Sequence, residues 1–564
     1  MSAEITACDI AARNFDHARQ LLALLLAHGI TDLALAPGSR SAPLTLAAAS
    51  DPRWRLHGHF DERGLAFFAL GLARTLARPV ALLVTSGTAV ANLLPATVEA
   101  DLLDVPLLLL SADRPPELID CGANQAIRQQ GLFGQHLRAS LNLLPPEQNE
   151  LTPAIDAAVR QLLHKLQQSP GPYQLNIMLR DPLYPAAAAL NQPPLPLPVI
   201  EPPAASAAVT TEPNWAKLRQ QAGVIVAGRL THKEGQAVAA WAAALGWPLL
   251  ADIQSHARHG ATAISPAELA LANPVVAARL AQARLIIRCG DRITGKRLSH
   301  WLSLQKSEQW LVTNGSGERD PLRLSRRINQ PLIAFINAHP ASGTSNCWLD
   351  VARISQRLAR QLAASSSSTA LDELSAVSLL APLLPADGLL FCGNSLAIRL
   401  LDQLAIAPTG QILANRGASG IDGLLASACG AASGHKGPLT LVIGDLSLLH
   451  DLNSLALLAG LQQPALVVLL NNGGGNIFDL LPVPPALRER YFRTPVNWDA
   501  AAACATFAIA HQRPTNSAQF IKACQQAWQG SGPMLLEVQV PPGQTACQLQ
   551  ALATQIATAT LIEP

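Results

Sequence analysis

A chain of 564 residues is too long to form a single hydrophobic core, so its length predicts several domains. Hydrophobic residues make up 49% of the chain and charged residues 14%, which excludes a disordered protein and favours α/β domains with buried sheets. The net charge of +2 and the 4% of aromatic residues give no reason to expect nucleic acid or an anionic membrane as a partner.

The nine cysteines are scattered along the chain without a CxxC pair, which is typical of buried thiols in a reducing compartment. The N-terminal segment lacks the basic and apolar regions of a signal peptide. No apolar run reaches about 18 residues, the length that a membrane helix needs. We therefore expect a cytoplasmic protein without a membrane span.

Two changes in composition divide the chain into three blocks. Residues 186–212 are rich in proline and alanine, as expected for a semi-rigid linker, and a serine run lies within residues 365–371. The blocks 1–185, 213–364 and 372–564 each alternate short apolar runs with helical patterns. This alternation predicts an α/β protein of three doubly wound parallel-sheet domains, and the first and third blocks share one order of patterns.

The first strand of the first block ends at the motif PGSR, directly before a predicted helix. Ser39 or Ser41 could cap that helix. An anion at the helix start would meet free N–H groups and the guanidinium of Arg40. A solvated arginine near a helix cap explains the same residues equally well.

The next helix of this block begins near Glu62, where a carboxylate in the first turn favourably meets the helix dipole. That structural role is enough to explain Glu62 on sequence alone. A long polar loop after the strand at 105–110 carries Arg114, Asn124 and Gln125. Long ordered loops in compact domains are often functional, so this loop is a candidate binding element.

The middle block contains two strand-plus-loop units, VIVAGRL and LIIRCGDRITGKRL, and neither carries GxGxxG. A dinucleotide site is therefore unsupported. Lys296 in the second loop could reach an anion, although a solvated lysine is the simpler interpretation. In the third block, Ser395 and Arg399 follow the strand LLFCGNS, and Arg416 precedes a glycine-rich helix start. Such residues at strand ends are typical of an anion-binding edge.

The segment 441–478 has the pattern of strand, helix and strand without a hairpin signal, which predicts two parallel strands. Parallel strands end at the same edge of a sheet, so Asp445 and Asn472 should emerge side by side at the edge where α/β sheets bind ligands. Their oxygens, with carbonyls of the following glycines, suit Mg²⁺ and a diphosphate. A solvated aspartate and an Asn-Asn-Gly turn are the alternative.

Taken together, these motifs resemble the thiamine-diphosphate-dependent decarboxylase family. Several stretches are specifically similar to its synthases of 2-succinyl-5-enolpyruvyl-6-hydroxy-3-cyclohexene-1-carboxylate in menaquinone or phylloquinone biosynthesis. The similar stretches span all three blocks and are APGSRSAPLTLAAA, HFDERGLAFFALGLA, VTSGTAVANLLPA, SADRPPELIDCGANQAIRQ, GDRITGKRL, GNSLAIRLLD, NRGASGIDGLL and GDLSLLHDLNSLALL. Leu446 stands in place of the last glycine of the usual GDG motif, and Gly473 stands where relatives often have a third asparagine.

The resemblance implies a pyrimidine-binding, a central and a diphosphate-binding domain, with thiamine diphosphate and Mg²⁺, or alternatively Mn²⁺, as cofactors. Glu62 would activate the cofactor from one subunit of a homodimer or homotetramer, and the neighbouring subunit would supply the metal ligands Asp445, Asn472 and the Gly474 carbonyl. Ile421 would keep the cofactor bent. The other implied cofactor-binding residues are Ser86, Ser419, Gly444, Leu446, Ile477 and Phe478.

The resemblance also implies the reaction. It is the decarboxylation of 2-oxoglutarate, followed by 1,4-addition of the succinyl carbanion equivalent to isochorismate. Both substrates carry two carboxylates, so several cationic and polar donors are expected to bind them, with Arg399 and Arg416 assigned to isochorismate. The implied substrate-binding residues are Ser39, Arg40, Arg114, Asn124, Gln125, Lys296, Ser395, Arg399 and Arg416. A different thiamine-dependent decarboxylase or acyloin synthase, or a catalytically silent relative, remains an alternative on sequence alone.

Overall fold

The computed structural model describes residues 7–200, 211–341, 347–365 and 370–562. Much of the predicted Pro/Ala-rich linker is described and holds a short 3₁₀ helix at Ala187–Asn191. Residues 201–210 of that linker and 366–369 of the serine-rich one lie outside the described residues. In the described part of the chain, no helix combines the length and apolarity needed to cross a membrane.

The first sheet has six parallel strands in the order β2-β1-β3-β4-β6-β5. Its strands are β1 Asp32–Leu35, β2 Arg55–Gly58, β3 Val80–Val84, β4 Leu107–Asp113, β5 Ala139–Leu143 and β6 Pro172–Met178. The helices of this block are α1 Ala7–Ala27, α2 Ala42–Ala49, α3 Glu62–Leu76, α4 Thr88–Ala91, α5 Leu94–Leu103 and α6 Pro153–Gln168.

The second sheet also has six parallel strands, in the order β12-β11-β10-β7-β8-β9. Its strands are β7 Gly223–Ala227, β8 Leu249–Ala251, β9 Ala263–Ile264, β10 Leu285–Cys289, β11 Glu308–Val312 and β12 Arg326–Ile328. The helices are α7 Trp215–Leu218, α8 His232–Leu245, α9 Ala267–Ala270, α10 Pro274–Leu280, α11 Lys296–Ser303, α12 Leu332–Ala338 and α13 Val351–Ser365.

The third sheet has six parallel strands in the order β14-β13-β15-β16-β18-β17. Its strands are β13 Leu389–Cys392, β14 Gln411–Leu413, β15 Leu439–Gly444, β16 Ala465–Asn471, β17 Ala510–Gln512 and β18 Pro533–Gln539. The helices are α14 Glu373–Leu380, α15 Leu396–Leu404, α16 Leu424–Ser433, α17 Asp445–His450, α18 Leu455–Ala459, α19 Pro485–Tyr491, α20 Ala500–Thr506, α21 Ser517–Gln529 and α22 Gln544–Thr558.

The first and third sheets share one strand order, as the common order of patterns in their sequences predicts. In each, the order reverses between the first and third strands of the block, that is between β1 and β3 and between β13 and β15. Ligands of open α/β sheets bind at the carboxyl ends of the strands beside such a reversal. The fold therefore directs attention to the loops that follow these four strands.

The chain forms two compact units. One unit contains residues 1–205 together with 415–435 and 451–460, and the other contains 206–414, 436–450 and 461–564. The third block thus contributes α16 and α18 to the first unit. Leucine, isoleucine and valine side chains on the faces of the parallel strands form the buried cores, as expected for sheets covered by helices on both faces.

Helices α3 and α16 cross at very short distance within the first unit because glycines line their contact. A Cβ atom at Gly71 would lie 1.9 Å from the Ser427 carbonyl oxygen, and one at Gly430 would lie 1.9 Å from the Phe68 carbonyl oxygen. No side chain fits at either position without moving a backbone.

The variant Gly430→Ala should therefore lower the free energy of unfolding by about 1–3 kcal/mol, the usual cost of overpacking a core. Gly434→Ala, at the C-terminal cap of the same helix, is the matched control, since the atoms nearest to its Cβ would be side-chain carbons, the closest at 3.2 Å. Thermal and denaturant unfolding of both variants measure the difference. Equal stability of the two variants would contradict this close packing.

Candidate active site

The predicted binding residues of the first block lie at the carboxyl edge of the first sheet. Along that edge, β2, β1, β3 and β4 are consecutive neighbours. Because parallel strands all end at this edge, their terminal loops are brought together. Glu62 follows β2, Ser39 and Arg40 follow β1, Ser86 follows β3 and Arg114 follows β4.

Glu62 is half-buried and is the first residue of α3, in the helical turn where the sequence predicts it. The start of this helix is fixed by Asp61, whose carboxylate accepts hydrogen bonds from the N–H groups of Arg63 at 3.0 Å and Gly64 at 3.2 Å. The Asn453 side chain donates to the other oxygen of Asp61 at 3.2 Å. These contacts hold the backbone that carries the Glu62 carboxylate.

Arg40 is only 4% exposed, and its guanidinium is held by the segment after β6. It donates to the carbonyl of Leu179 at 2.8 Å and to the carboxylate of Asp181 at 2.7 Å. Part of its charge is therefore neutralised within the protein, which the sequence did not indicate.

The serines beside Arg40 do not cap α2, so the capping prediction is wrong. Ser41 occupies the cap position, but its hydroxyl donates to the Gly38 carbonyl at 3.1 Å. The Ser39 hydroxyl lies 3.0 Å from the hydroxyl of Tyr184. A proline in the first helical turn starts the helix without a side-chain cap, which is a common arrangement.

The long loop after β4 is anchored on the end of β3. The Ser86 hydroxyl donates to the Gln125 carbonyl at 3.1 Å, and the Gln125 side chain donates back to the Ser86 carbonyl at 2.9 Å. Arg114 donates to the carbonyl of Asn124 at 2.8 and 3.1 Å. Gln125 has a φ of +56°, an unfavourable conformation for a residue with a side chain that often marks functional positions. The contacts thus order a loop that the sequence marks as a binding element.

The loop before α16 carries Arg416, Ser419 and Ile421, and it is supported by an acid that sequence reasoning missed. Glu99 on α5 is 3% exposed, and its two oxygens accept the N–H groups of Gly417 at 2.7 Å and Ala418 at 2.6 Å. A single glutamate within the apolar helix LPATVEADLL is the only local signal of this role.

In the second unit, β15 and β16 pair in parallel, with Gly444 opposite Leu470, which confirms the two parallel strands predicted for this segment. Asp445 is 2% exposed, and its oxygens accept the N–H groups of Leu446 at 2.7 Å and Gly474 at 2.8 Å. Burial raises the pKa of the Asp445 carboxyl. The expected juxtaposition of the two strand ends is therefore confirmed.

Asn472 presents an unused oxygen at the same edge. Its side-chain N–H group donates to Glu373 at 2.9 Å, and its Oδ1 is buried without a hydrogen-bond partner among the residues that the structure describes. A buried oxygen without a hydrogen-bond donor lowers the stability of the fold, because it has lost its contacts with water. The unpaired Oδ1 of Asn472 therefore indicates a ligand that accepts its lone pairs.

This donor set fits Mg²⁺. Within the described ranges, no group of three or more His, Cys, Asp or Glu side chains could hold a metal ion. A metal here would rely on one carboxylate and neutral oxygens, which Mg²⁺ accepts when phosphate oxygens complete its shell. Gly474 allows the close approach, since a Cβ there would lie 2.4 Å from the Arg493 carbonyl oxygen.

A cavity of about 810 Å³ in the second unit brings together Lys296, Arg399, Ile477 and Phe478, which the sequence assigns to binding. Its volume suits a small-molecule ligand. The structure adds three further cations and three acids to its lining, namely Arg297, Arg488, Arg493, Glu268, Asp402 and Asp479. The cavity lining therefore carries more basic than acidic side chains.

Two of the added cations are paired locally. Arg488 and Arg493 contact Asp479 at 2.9 and 2.8 Å, and Arg493 also pairs with Glu489 at 2.7 Å. Lys296 begins α11, a helix whose start is held by Glu268 through the N–H groups of Arg297 at 2.9 Å and Leu298 at 3.0 Å.

Ser395 lies between β13 and α15 with φ +62° and ψ −123°, a conformation that glycine normally adopts. Arg399, one turn into α15, donates to the Ser395 carbonyl at 2.5 Å. Residues held in such strained conformations cluster at active sites and ligand-binding sites. This geometry agrees with the prediction that both residues lie at a binding edge.

Three family models match successive parts of the chain. The N-terminal TPP binding domain of thiamine pyrophosphate enzymes matches residues 15–135, the middle domain of thiamine pyrophosphate matches 196–392, and the C-terminal TPP binding domain matches 396–538. Two relatives named 2-succinyl-5-enolpyruvyl-6-hydroxy-3-cyclohexene-1-carboxylate synthase come from Yersinia pseudotuberculosis serotype IB (strain PB1/+) and Yersinia pestis bv. Antiqua (strain Antiqua). Each is 42% identical and aligns over 95% of this chain and 96% of its own length.

The chain belongs to this synthase family. It is accordingly a thiamine-diphosphate-dependent enzyme of the transferase class, and the predicted cofactor pair of thiamine diphosphate and Mg²⁺ is confirmed for the family.

Two solved structures share the fold. One is a thiamin diphosphate-dependent enzyme from Mycobacterium smegmatis, with a TM-score of 0.68, 17% identity and coverage of 95% of this chain and 99% of its own. The other is the thiamine diphosphate-dependent 4-hydroxybenzoylformate decarboxylase of Rhodococcus jostii RHA1, with a TM-score of 0.70, 15% identity and coverage of 93% and 99%. At these identities the likeness concerns the fold, and it confirms the predicted α/β class.

Proposed function

We propose that this chain decarboxylates 2-oxoglutarate and adds the succinyl carbanion equivalent to isochorismate by 1,4-addition. The products are 2-succinyl-5-enolpyruvyl-6-hydroxy-3-cyclohexene-1-carboxylate and CO2, in menaquinone biosynthesis. The observation that carries the proposal is the cavity that gathers Lys296 and Arg399 with Ile477 and Phe478. Lys296 and Arg399 give this lining cationic groups that would favour substrates with carboxylates.

The residues that would hold the cofactor follow from the site. Asp445, Asn472 Oδ1 and the carbonyl of Gly474 would bind Mg²⁺, and through it the diphosphate. Glu62 would share a proton with the ring nitrogen of the aminopyrimidine, and Ile421 would support the bent cofactor. When bound, thiamine diphosphate supplies the stabilisation of the carbanion that decarboxylation generates.

The remaining predicted residues would bind the substrates. A charge-assisted hydrogen bond to a carboxylate contributes about 1.5–3 kcal/mol, so two dicarboxylates call for several cations. Arg399 and Lys296 line the cavity of the second unit. Arg40, Arg114 and Arg416 lie in the first unit, in loops that Asp181, Asn124 and Glu99 hold in place.

We further propose that the chain works in the cytoplasm as a homodimer or homotetramer. In this arrangement, Glu62 of one subunit would act on the cofactor whose diphosphate is held by the metal ligands of the neighbouring subunit.

The test is incubation of the protein with thiamine diphosphate, Mg²⁺ and 2-oxoglutarate, with and without isochorismate. We expect release of CO2 and loss of the isochorismate absorbance in the complete mixture. Faster turnover of pyruvate than of 2-oxoglutarate would instead indicate another thiamine-dependent decarboxylase. No turnover of any 2-oxo acid would indicate a catalytically silent relative.

Arg399→Ala should raise the apparent Michaelis constant for isochorismate about tenfold or more, and that for 2-oxoglutarate less. The reason is that one charge-assisted bond to a carboxylate is lost, at about 1.4 kcal/mol per factor of ten. Steady-state kinetics with each substrate varied in turn measures both constants.

Arg353→Ala, on the exposed face of α13, is the control and should leave both constants unchanged. Equal increases for the two substrates in Arg399→Ala would refute its assignment to isochorismate.

A further inference from the structure

Glu373 is an acid for which neither the sequence motifs nor the proposed reaction gives a role. It is the first residue of α14 and is fully buried. The helix start is fixed by a reciprocal cap in which the Asp372 carboxylate accepts the Ser375 N–H at 2.7 Å and the Ser375 hydroxyl accepts the Asp372 N–H at 2.8 Å. The position of the Glu373 carboxylate is thus set by a rigid helix terminus.

The carboxylate contacts two side chains. One oxygen accepts the side-chain N–H of Asn472 at 2.9 Å, and the other accepts the hydroxyl of Thr545. Burying an acid this completely costs stability, and apolar residues would pack at lower cost. Retention of a hydrogen-bond acceptor at this buried position therefore calls for a specific purpose.

That purpose follows from the asymmetry of the asparagine amide. One carboxyl oxygen of Glu373 accepts the NH2 group of Asn472, so Glu373 holds the donor end of the amide. The opposite end, Oδ1, then points away from Glu373, and it is the buried oxygen without a partner among the described residues. A rotated amide would present N–H groups to a cation and lose the ligand.

We propose that Glu373 is a positioning residue that fixes the amide of Asn472 with its oxygen directed at the metal. The proposal rests on the proposed function, which makes Asn472 a metal ligand. Partners that orient metal ligands in this way typically change metal affinity 10–100-fold when they are removed.

The experiment measures metal affinity directly. Mn²⁺ replaces Mg²⁺, and free Mn²⁺ is followed by electron paramagnetic resonance while the full-length protein, saturated with thiamine diphosphate, is titrated. Glu373→Met fills the space but offers no acceptor, so we expect Mn²⁺ affinity to fall about 10–100-fold. Glu373→Gln keeps an oxygen for the Asn472 N–H group and should stay within about threefold of wild type, because the acceptor rather than the charge is required.

Thr545→Val is the matched control. It removes the other partner of the same carboxylate and leaves the Asn472 contact, so its Mn²⁺ affinity should also stay within about threefold of wild type. Thermal unfolding of each variant checks that it folds. If Glu373→Met does not fold, Glu373→Asp replaces it. Its side chain is one methylene shorter, so its carboxylate no longer reaches Asn472, and the same fall in Mn²⁺ affinity is expected.

Unchanged Mn²⁺ affinity in Glu373→Met, or in Glu373→Asp where it stands in, would overturn the proposal. An equal loss in Glu373→Gln or in Thr545→Val would also overturn it, because that result points to charge or to general packing. If the wild-type protein with thiamine diphosphate binds no Mn²⁺, the proposed function fails as well. If wild type and Glu373→Met bind Mn²⁺ equally well, only the positioning role of Glu373 is refuted, and the proposed function stands.

Discussion

Replacing Glu62 by glutamine should lower kcat by roughly 10²–10⁴-fold, the usual range for a group that moves a proton. Thiamine diphosphate binding should stay within about threefold of wild type, because the predicted metal and diphosphate ligands lie elsewhere in the chain. A carboxamide of the same shape still forms a hydrogen bond but cannot share a proton with a ring nitrogen. Turnover of 2-oxoglutarate and fluorescence titration with the cofactor separate the two effects.

Glu117→Gln is the control for this variant. Glu117 follows β4 near the same sheet edge, is paired with Arg180 and is half-exposed. Its replacement should leave kcat near that of wild type. Near-normal turnover in Glu62→Gln, or a loss of cofactor binding equal to the loss of turnover, would refute the assigned role.

Replacing Asp445 by alanine should weaken the binding of thiamine diphosphate in Mg²⁺ by about 100-fold or more. Asp445 supplies the only negative charge among the three predicted metal ligands. Losing about 3 kcal/mol of charge-assisted binding corresponds to this factor. Isothermal titration calorimetry at a fixed Mg²⁺ concentration measures the affinity.

Asp387→Ala is the matched control for this variant, because Asp387 is exposed and precedes β13 at the opposite edge of the same sheet. Its cofactor affinity should be unchanged. If Asp445→Ala binds the cofactor as tightly as wild type in Mg²⁺, the diphosphate does not depend on a metal at this position.

The sequence predicted the structure best where a short segment determines its own strand pairing. Apolar runs separated by a helical stretch allow few arrangements other than parallel strands, so the neighbourhood of Asp445 and Asn472 could be predicted. The Asp445 carboxylate that accepts the Gly474 N–H bears this out. The predicted single helix between these strands is instead divided into α17, a 3₁₀ turn at Leu452–Ser454 and α18.

That division has a tertiary cause. Asp451 interrupts the segment, and its buried carboxylate accepts the Ala426 N–H at 2.9 Å and the Ser454 hydroxyl at 2.9 Å. Helical spacing of apolar residues cannot reveal such a contact, because one of the partners belongs to another part of the chain.

The residues that sequence reasoning missed share this property. Glu99 supports a loop 318 positions away, and Glu373 contacts an asparagine 99 positions away. Glu99 shares its helix with Asp101, and Glu373 directly follows Asp372. A local pattern cannot distinguish such a buried acid from a solvated one. Likewise, Arg40 looks like a free anion-binding group until the fold places Asp181 beside it.

The most direct measurement is a crystal structure of the protein with thiamine diphosphate and Mg²⁺. The account predicts one metal ion coordinated by the Asp445 carboxylate, the side-chain oxygen of Asn472, the Gly474 carbonyl and two diphosphate oxygens. A diphosphate bound away from the carboxyl edge of the third sheet, or an Asn472 oxygen turned from the metal, would contradict it.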